Sequence, residues 1–428
     1  MKRTFRSFPV NDFIQTKWQM LSWANQFNIC CFLDNNEYQI PGRFFECMLA
    51  VDAETAISAS AGNVFNALDD FLKVNNDWCF GHLSYDVKNE IESLQSNNPD
   101  NIEFPDLFFF VPRIIILLSR YSMNIGVISE DAEEVAKSVI SWQIPPAAER
   151  CTCIIQNRFS REDYLQAIDF LRGHIIRGDC YEINFCQEFY ALNTIIDPYH
   201  LYRLLNAESP NPFACFYKLN DKYLLCASPE RFVRKSGEKL ISQPIKGTKR
   251  RHLHNAEADN RNRQLLSNDP KEKSENIMIV DLVRNDLSKI CREGSVVVDE
   301  LMGIYGFPQV YQMISTVSGL VDTSVTPSEI FKAIFPMGSM TGAPKKRVME
   351  LIDMYERTKR GLFSGTVGYI SPERDMDFNV VIRSILFNAG NKYLSFQAGS
   401  AITYNSDPIN EYEECLLKAA AIKKVLNG

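Results

Sequence analysis

Histidine is scarce in this 428-residue chain. The five, at 82, 174, 200, 252 and 254, form no metal-ligand pattern. His252-x-His254 reads as exposed strand or loop. No Ser/His/Asp arrangement for nucleophilic catalysis is recognisable. Basic residues are in deficit: Lys and Arg number 46 against 53 Asp and Glu, a formal net charge of −7. That balance excludes the basic face that non-specific nucleic-acid binding needs. It also gives no general attraction to anionic membranes, so an anionic substrate requires a local basic site. Long apolar runs are missing. The most apolar stretch, Leu107–Leu118, is cut by Pro112-Arg113 and is too short to span a bilayer. The opening MKRTFRSFPVNDF has no apolar h-region, and no targeting signal, repeat or low-complexity segment is visible. The 12 cysteines include no C-x-x-C pair, and Cys30-Cys31 and Cys151-x-Cys153 are too isolated for a zinc site. They read as reduced thiols, mostly packed in cores, in a cytoplasmic protein.

Hydrophobic residues at 45% and charged residues at 23% are ordinary for a globular chain. The length corresponds to roughly 2.9 domains at about 150 residues each. Phe27–Leu33 and Phe108–Leu118 read as buried strands, and Asn97–Asp100 as a polar loop. A helical pattern over Ser129–Arg150 runs into Pro145-Pro146, which stop a helix and favour an extended linker. A boundary is expected there, between a region 1–150 and a catalytic domain 151–428.

Beyond it the local signals sharpen. Ser160-Arg-Glu-Asp163 has the capping-box form and opens a helix that Gly178 ends. Asp269-Pro270 opens a second that runs to about Leu287. A third follows Gly342-Ala343-Pro344, and a last begins near Asn410. Strand patterns lie at Phe213–Leu219, Tyr223–Ala227, Gly365–Ile370, Phe378–Phe387 and Tyr393–Gly399. Strands in adjacent groups, without strict βαβ alternation, predict an α+β fold with antiparallel sheets.

Several segments have chemistry in them. Glu272 and Glu275 share one helix face, Glu411 and Glu414 repeat the spacing, and Lys418 lies one turn beyond Glu414. Two such helices can converge on a hard cation such as Mg²⁺, which takes few protein carboxylates and keeps waters; two solvated helix faces read the same. In Pro244-Ile-Lys-Gly-Thr248, Lys246 is either a desolvated nucleophile or a surface lysine in a turn. In Ser228-Pro-Glu-Arg-Phe232, Glu230 is either a partly buried general acid or a turn salt bridge with Arg231 or a neighbour. Phe335-Pro-Met-Gly-Ser-Met-Thr-Gly-Ala-Pro-Lys345 leads into a helix, so its backbone N–H groups offer an anion site or simply a structural loop. It is not a Walker A motif. Arg383, inside the apolar run 379–387, calls for a carboxylate partner from the protein or from a ligand.

Taken in order, these segments resemble the chorismate-utilising enzymes. That family includes component I of anthranilate synthase, component I of aminodeoxychorismate synthase, and the isochorismate and salicylate synthases. The segments are SPERF (228–232), PIKGT (244–248), ENIMIVDLVRNDL (275–287), FPMGSMTGAPK (335–345), DFNVVIRS (377–384) and the Glu411–Lys418 helix. Pro41-Gly-Arg-Phe-Phe45 and Gly81-His-Leu-Ser-Tyr-Asp86 also look familial. The resemblance implies two antiparallel sheets stacked as a sandwich, with helices outside and the site between the halves. It implies that Glu275 and Glu414 ligate Mg²⁺, with Glu272 and Glu411 holding its waters. Arg383 would take the enolpyruvyl carboxylate of chorismate, with Lys418 nearby, while Gly247, Thr248 and Gly399 line the ring. Glu230 would protonate the departing C4 hydroxyl.

Two positions discriminate within the family. Isochorismate and salicylate synthases carry a water-activating Lys where Glu182 stands here, in Gly178-Asp-Cys-Tyr-Glu-Ile-Asn-Phe185. Anthranilate and isochorismate synthases have Ala at the position of Lys246. The lysine resembles the aminodeoxychorismate-forming branch, where it is a covalent nucleophile. Such an amine attacks only unprotonated, so a depressed Lys246 pKa is expected. The alternative is the anthranilate-forming branch. Departures from the family pattern are Gln312 for His, Phe363 for Tyr and Ala401 for a second Gly. The chain has no Cys-His-Glu glutaminase arrangement. A separate glutamine amidotransferase subunit is therefore the expected ammonia source, with neither nucleic acid nor membrane as partner.

Overall fold

The computed structural model describes residues 2–38, 45–146, 153–307 and 310–427. Pro41–Phe44 of the first familial segment, Cys151 and the expected boundary at 150 lie outside them. Twenty strands join in one hydrogen-bonded network among the described residues. Every pairing in it is antiparallel. The network crosses position 150: strand Ile29–Asp34 pairs with Phe213–Leu219, and Cys79–Leu83 with Thr366–Ile370.

Successive strand residues face opposite ways, and here both faces are buried. Cys30, Phe32, Leu49 and Val51 enter one core, while the interleaved Cys31, Met48 and Ala50 enter another. The first core is the helix layer. Met20 and Leu21, Ile168 and Leu171, Val348 and Ile352, and Ala419 and Ile422 reach it from four different helices. The second core is where the network folds over itself. Ala50, Phe80 and Phe109 meet Val233, Leu240, Val317 and Phe378 there. The antiparallel α+β expectation holds, with sheet packed on sheet and helices outside. Burying each such Leu, Val or Phe is favourable by about 1.5–3 kcal/mol.

Two helix starts formed as read. Ser160 Oγ accepts from Asp163 N at 3.0 Å and opens helix Arg161–Ile176. Asp269 Oδ1 accepts from Lys271 N at 3.0 Å and Glu272 N at 3.3 Å, opening helix Pro270–Ser288 with proline in its first turn. The helix expected over 129–150 is shorter, Ala132–Ser141, because Asp131 caps it and Trp142 is already extended. The strand expected over 378–387 is two strands, Met376–Asn379 and Ser384–Asn388. Between them Val380 N donates to Glu230 O and Val381 N to Gly365 O, so the ladder breaks and Arg383 takes φ 50°. Nine of the eleven described cysteines are buried. Among the described residues no helix is long and apolar enough to cross a membrane.

Candidate active site

Lys246 sits on strand Ile245–Arg250, which loses register against Val310–Leu320 between Ile245 and Thr248. Such a bulge re-aims a side chain. Gly247 follows at φ +93°, where only glycine is unstrained, and a Cβ there would stand 3.1 Å from Glu272 Oε2. Lys246 is 8% exposed, and its Nζ donates to Glu182 Oε1 at 2.6 Å. Glu182 opens strand Glu182–Ala191, is 1% exposed, and leaves Oε2 without a hydrogen-bond partner among the described residues. Burial alone would depress the Lys246 amine. Glu182, Glu275 and Glu414 outweigh it and hold the amine above its ordinary value. The expected depression is therefore overturned in the free protein, because three carboxylates stabilise the ammonium.

The two glutamate-bearing helices do converge. Lys271 Nζ lies 3.0 Å from Glu411 Oε1 and 3.8 Å from Glu275 Oε1, bridging helix Pro270–Ser288 to helix Pro408–Asn427. Lys418 Nζ lies 2.8 Å from Glu414 Oε1 and donates to Gly399 O at 3.0 Å. Burial pushes the Glu275 carboxyl up to about 7, against the pull of Lys246. Burial and Glu414 also raise Glu272. As the side chains lie, no three His, Cys, Asp or Glu among the described residues stand close enough to ligate one ion. The donor set nevertheless fits a divalent cation. Glu275 Oε1 and Glu411 Oε2 are buried without hydrogen-bond partners among the described residues. Five carboxylates (182, 272, 275, 411, 414) interact with three ammonium groups (246, 271, 418), an excess of two acidic side chains.

Glu230 occupies the turn between strands Lys222–Ser228 and Arg231–Ser236. Its Oε1 accepts from Ser339 Oγ at 2.6 Å. Burial pushes its carboxyl up to about 7, opposed by Ser339, Lys246, the Ile245 amide and Arg383. Arg231 does not pair with it; its Nε and Nη2 hold Asp377 at 2.9 and 3.2 Å. Arg383 is half-buried, faces Glu230, and makes no side-chain hydrogen bond or ion pair among the described residues.

The remaining predicted residues divide. Gly399 is in strand Tyr393–Ile402, where a Cβ would stand 1.9 Å from Phe185 O, so close strand pairing explains it. Thr248 is exposed and pairs in register with Gln312, which is buried with Oε1 unpartnered. Phe363 is 2% exposed within the second core. The 335–345 segment reads as structure: residues 335–342 are buried, and Asn184 N donates to Thr341 O. It does supply Ser339, which motif reading had left without a role. His82 lies between Tyr217 and the Pro105 carbonyl, and His174 between Asp179 and Tyr355. His252 and His254 are exposed in a loop.

Residues 28–424 match the family model described as chorismate binding enzyme. The chain is 32% identical over 362 residues to aminodeoxychorismate synthase component 1 of Bacillus subtilis, covering 81% of this chain and 76% of that one. It is 33% identical over 344 residues to the protein of that name in Klebsiella aerogenes, covering 80% and 75%. Anthranilate synthase component I of Streptococcus pneumoniae superposes with a TM-score of 0.75 at 27% identity, over 89% of this chain and 92% of that one. With that match over most of its length, the chain belongs to the chorismate binding enzyme family.

Proposed function

We propose that this chain is the component I of an aminodeoxychorismate synthase, converting chorismate and ammonia to 4-amino-4-deoxychorismate. The observation that supports it most is a buried lysine amine, Lys246, within electrostatic reach of a buried, readily protonated acid, Glu230. Arg383 takes one substrate carboxylate with its otherwise unused guanidinium. Mg²⁺, when bound, neutralises the ring carboxylate; Glu275 and Glu414 would hold it, with Glu272 and Glu411 on its waters.

The Lys246 amine forms a bond to C2. Both ring double bonds shift, the C4–O bond breaks, and Glu230 gives its proton so that water leaves. Ammonia then bonds to C4, the double bonds shift back, and the C2–N bond to Lys246 breaks. Ionised Glu230 removes the surplus proton from the new C4 nitrogen. Without the lysine, ammonia adding directly at C2 leads toward anthranilate. The ammonia comes from a separate glutaminase subunit.

Incubation with chorismate, Mg²⁺ and ammonium, followed by product chromatography, tests this reading. C4-aminated product is expected, and Lys246→Ala should abolish it or divert it. Fluorescent anthranilate from the unmutated protein, or unchanged C4 amination in Lys246→Ala, would overturn the assignment.

A further inference from the structure

Resting on that reading, Lys246 raises a problem of its own. Its amine lies 2.6 Å from a buried carboxylate, in the geometry of an ion pair, and an ammonium has no lone pair with which to attack. The proton must go to a group that touches Nζ. Several charged groups face it: Glu182 from strand Glu182–Ala191, Glu275 from helix Pro270–Ser288, Glu414 and Lys418 from helix Pro408–Asn427, and Glu230 from the turn before strand Arg231–Ser236. Only Glu182 comes within ion-pair distance among the described residues, at 2.6 Å. Glu230 has to keep its own proton for the leaving hydroxyl, and Glu275 and Glu414 are the groups offered to the cation.

Glu182 is built for this single contact. It is 1% exposed, Oε1 meets Lys246, and Oε2 meets no donor among the described residues. A buried ion pair is no economical way to stabilise a fold, since desolvation offsets most of the attraction. A carboxylate that only held the fold would share its second oxygen with a backbone or side-chain donor.

We propose that Glu182 is the general base for Lys246. Glu182 Oε1 takes one proton from the Nζ ammonium as the substrate arrives. The freed lone pair forms the N–C2 bond, and the adduct nitrogen is a secondary ammonium. When ammonia expels the lysine, Lys246 leaves as a neutral amine and recovers the proton from Glu182. The pair ends as it began, and no proton crosses the cleft to solvent.

The test is the rate of adduct formation with chorismate and Mg²⁺ but no ammonium. It is followed by intact-protein mass spectrometry of quenched samples from about pH 6 to about pH 9. Glu182→Gln should be slower at neutral pH by about 10²–10⁴-fold. The ratio of wild-type to variant rate should then shrink about tenfold for each pH unit, because the variant must lose its lysine proton to solvent. The Glu230 dependence cancels in that ratio. Glu182→Asp should recover part of the rate, and it bears the test alone if Glu182→Gln does not fold. A ratio that does not change with pH, whether near one or large, overturns the base. An adduct absent from the wild-type protein overturns the lysine nucleophile itself, and the base with it.

Discussion

Replacing Glu230 by Gln should make the protein progressively more stable than wild type as pH rises. The Glu230 carboxyl moves from 4.5 in the ordinary case to about 7 in the fold, mainly because it is buried. Between those values the unfolded chain has released the proton and the folded one has kept it. Stability therefore falls as pH rises through the window, and the loss is complete above about pH 7. A displacement of that size corresponds to about 3 kcal/mol. Glutamine fills the same volume, keeps an amide oxygen for the Ser339 hydroxyl, and has no proton to lose. For 428 residues at about 2.1 cal/mol/K each, the unfolding entropy is about 0.9 kcal/mol/K, so the gain amounts to about 3–4 °C. Thermal melts of both proteins, read by circular dichroism between about pH 5 and about pH 8.5, make the comparison. The gap in Tm should open through the window and then level off. A constant gap across that range would refute the buried, protonated acid and the catalytic role resting on it.

Three further outcomes are expected. Lys271→Met removes the ammonium between Glu275 and Glu411. The metal-free protein should melt lower and show a larger rise in Tm on adding Mg²⁺, with tighter binding by calorimetry. Arg383→Met should raise the KM for chorismate by about 10- to 100-fold, the range for losing a charge-assisted hydrogen bond of about 1.5–3 kcal/mol. Its Tm should not fall, because that guanidinium has no partner within the described chain. Gly399→Ala places a Cβ 1.9 Å from the Phe185 carbonyl oxygen, which only backbone movement relieves. A loss of about 3 kcal/mol, or about 3 °C in Tm, follows from overpacking on that scale.

What could be read from the sequence was what is local. Ser160 and Asp269 announce their helices because a cap bonds to amides two or three residues away. The glutamate pairs were legible for the same reason, since helical spacing fixes a shared face. Apart from the helix over 129–150, which local caps shorten, the errors sit where a distant segment decides. Residues 378–387 look like one strand, and only the bonds from Val380 to Glu230 and from Val381 to Gly365 break them. Ser339 lies 109 residues from the carboxylate it holds, and Lys271 lies 140 from Glu411. No periodicity encodes such separations.

Lys246 and Glu182 make the limit concrete. Motif comparison reads position 182 for what is missing there, a lysine, and reads Lys246 as an amine easily freed of its proton. Folding brings the two within 2.6 Å and reverses the second expectation. In the proposed reaction this ion pair masks the nucleophile until substrate arrives. Neither residue alone announces the other from sequence. The chemistry exists only in the 64-residue connection between them, which is why substituting the glutamate, and not only the lysine, is the informative experiment.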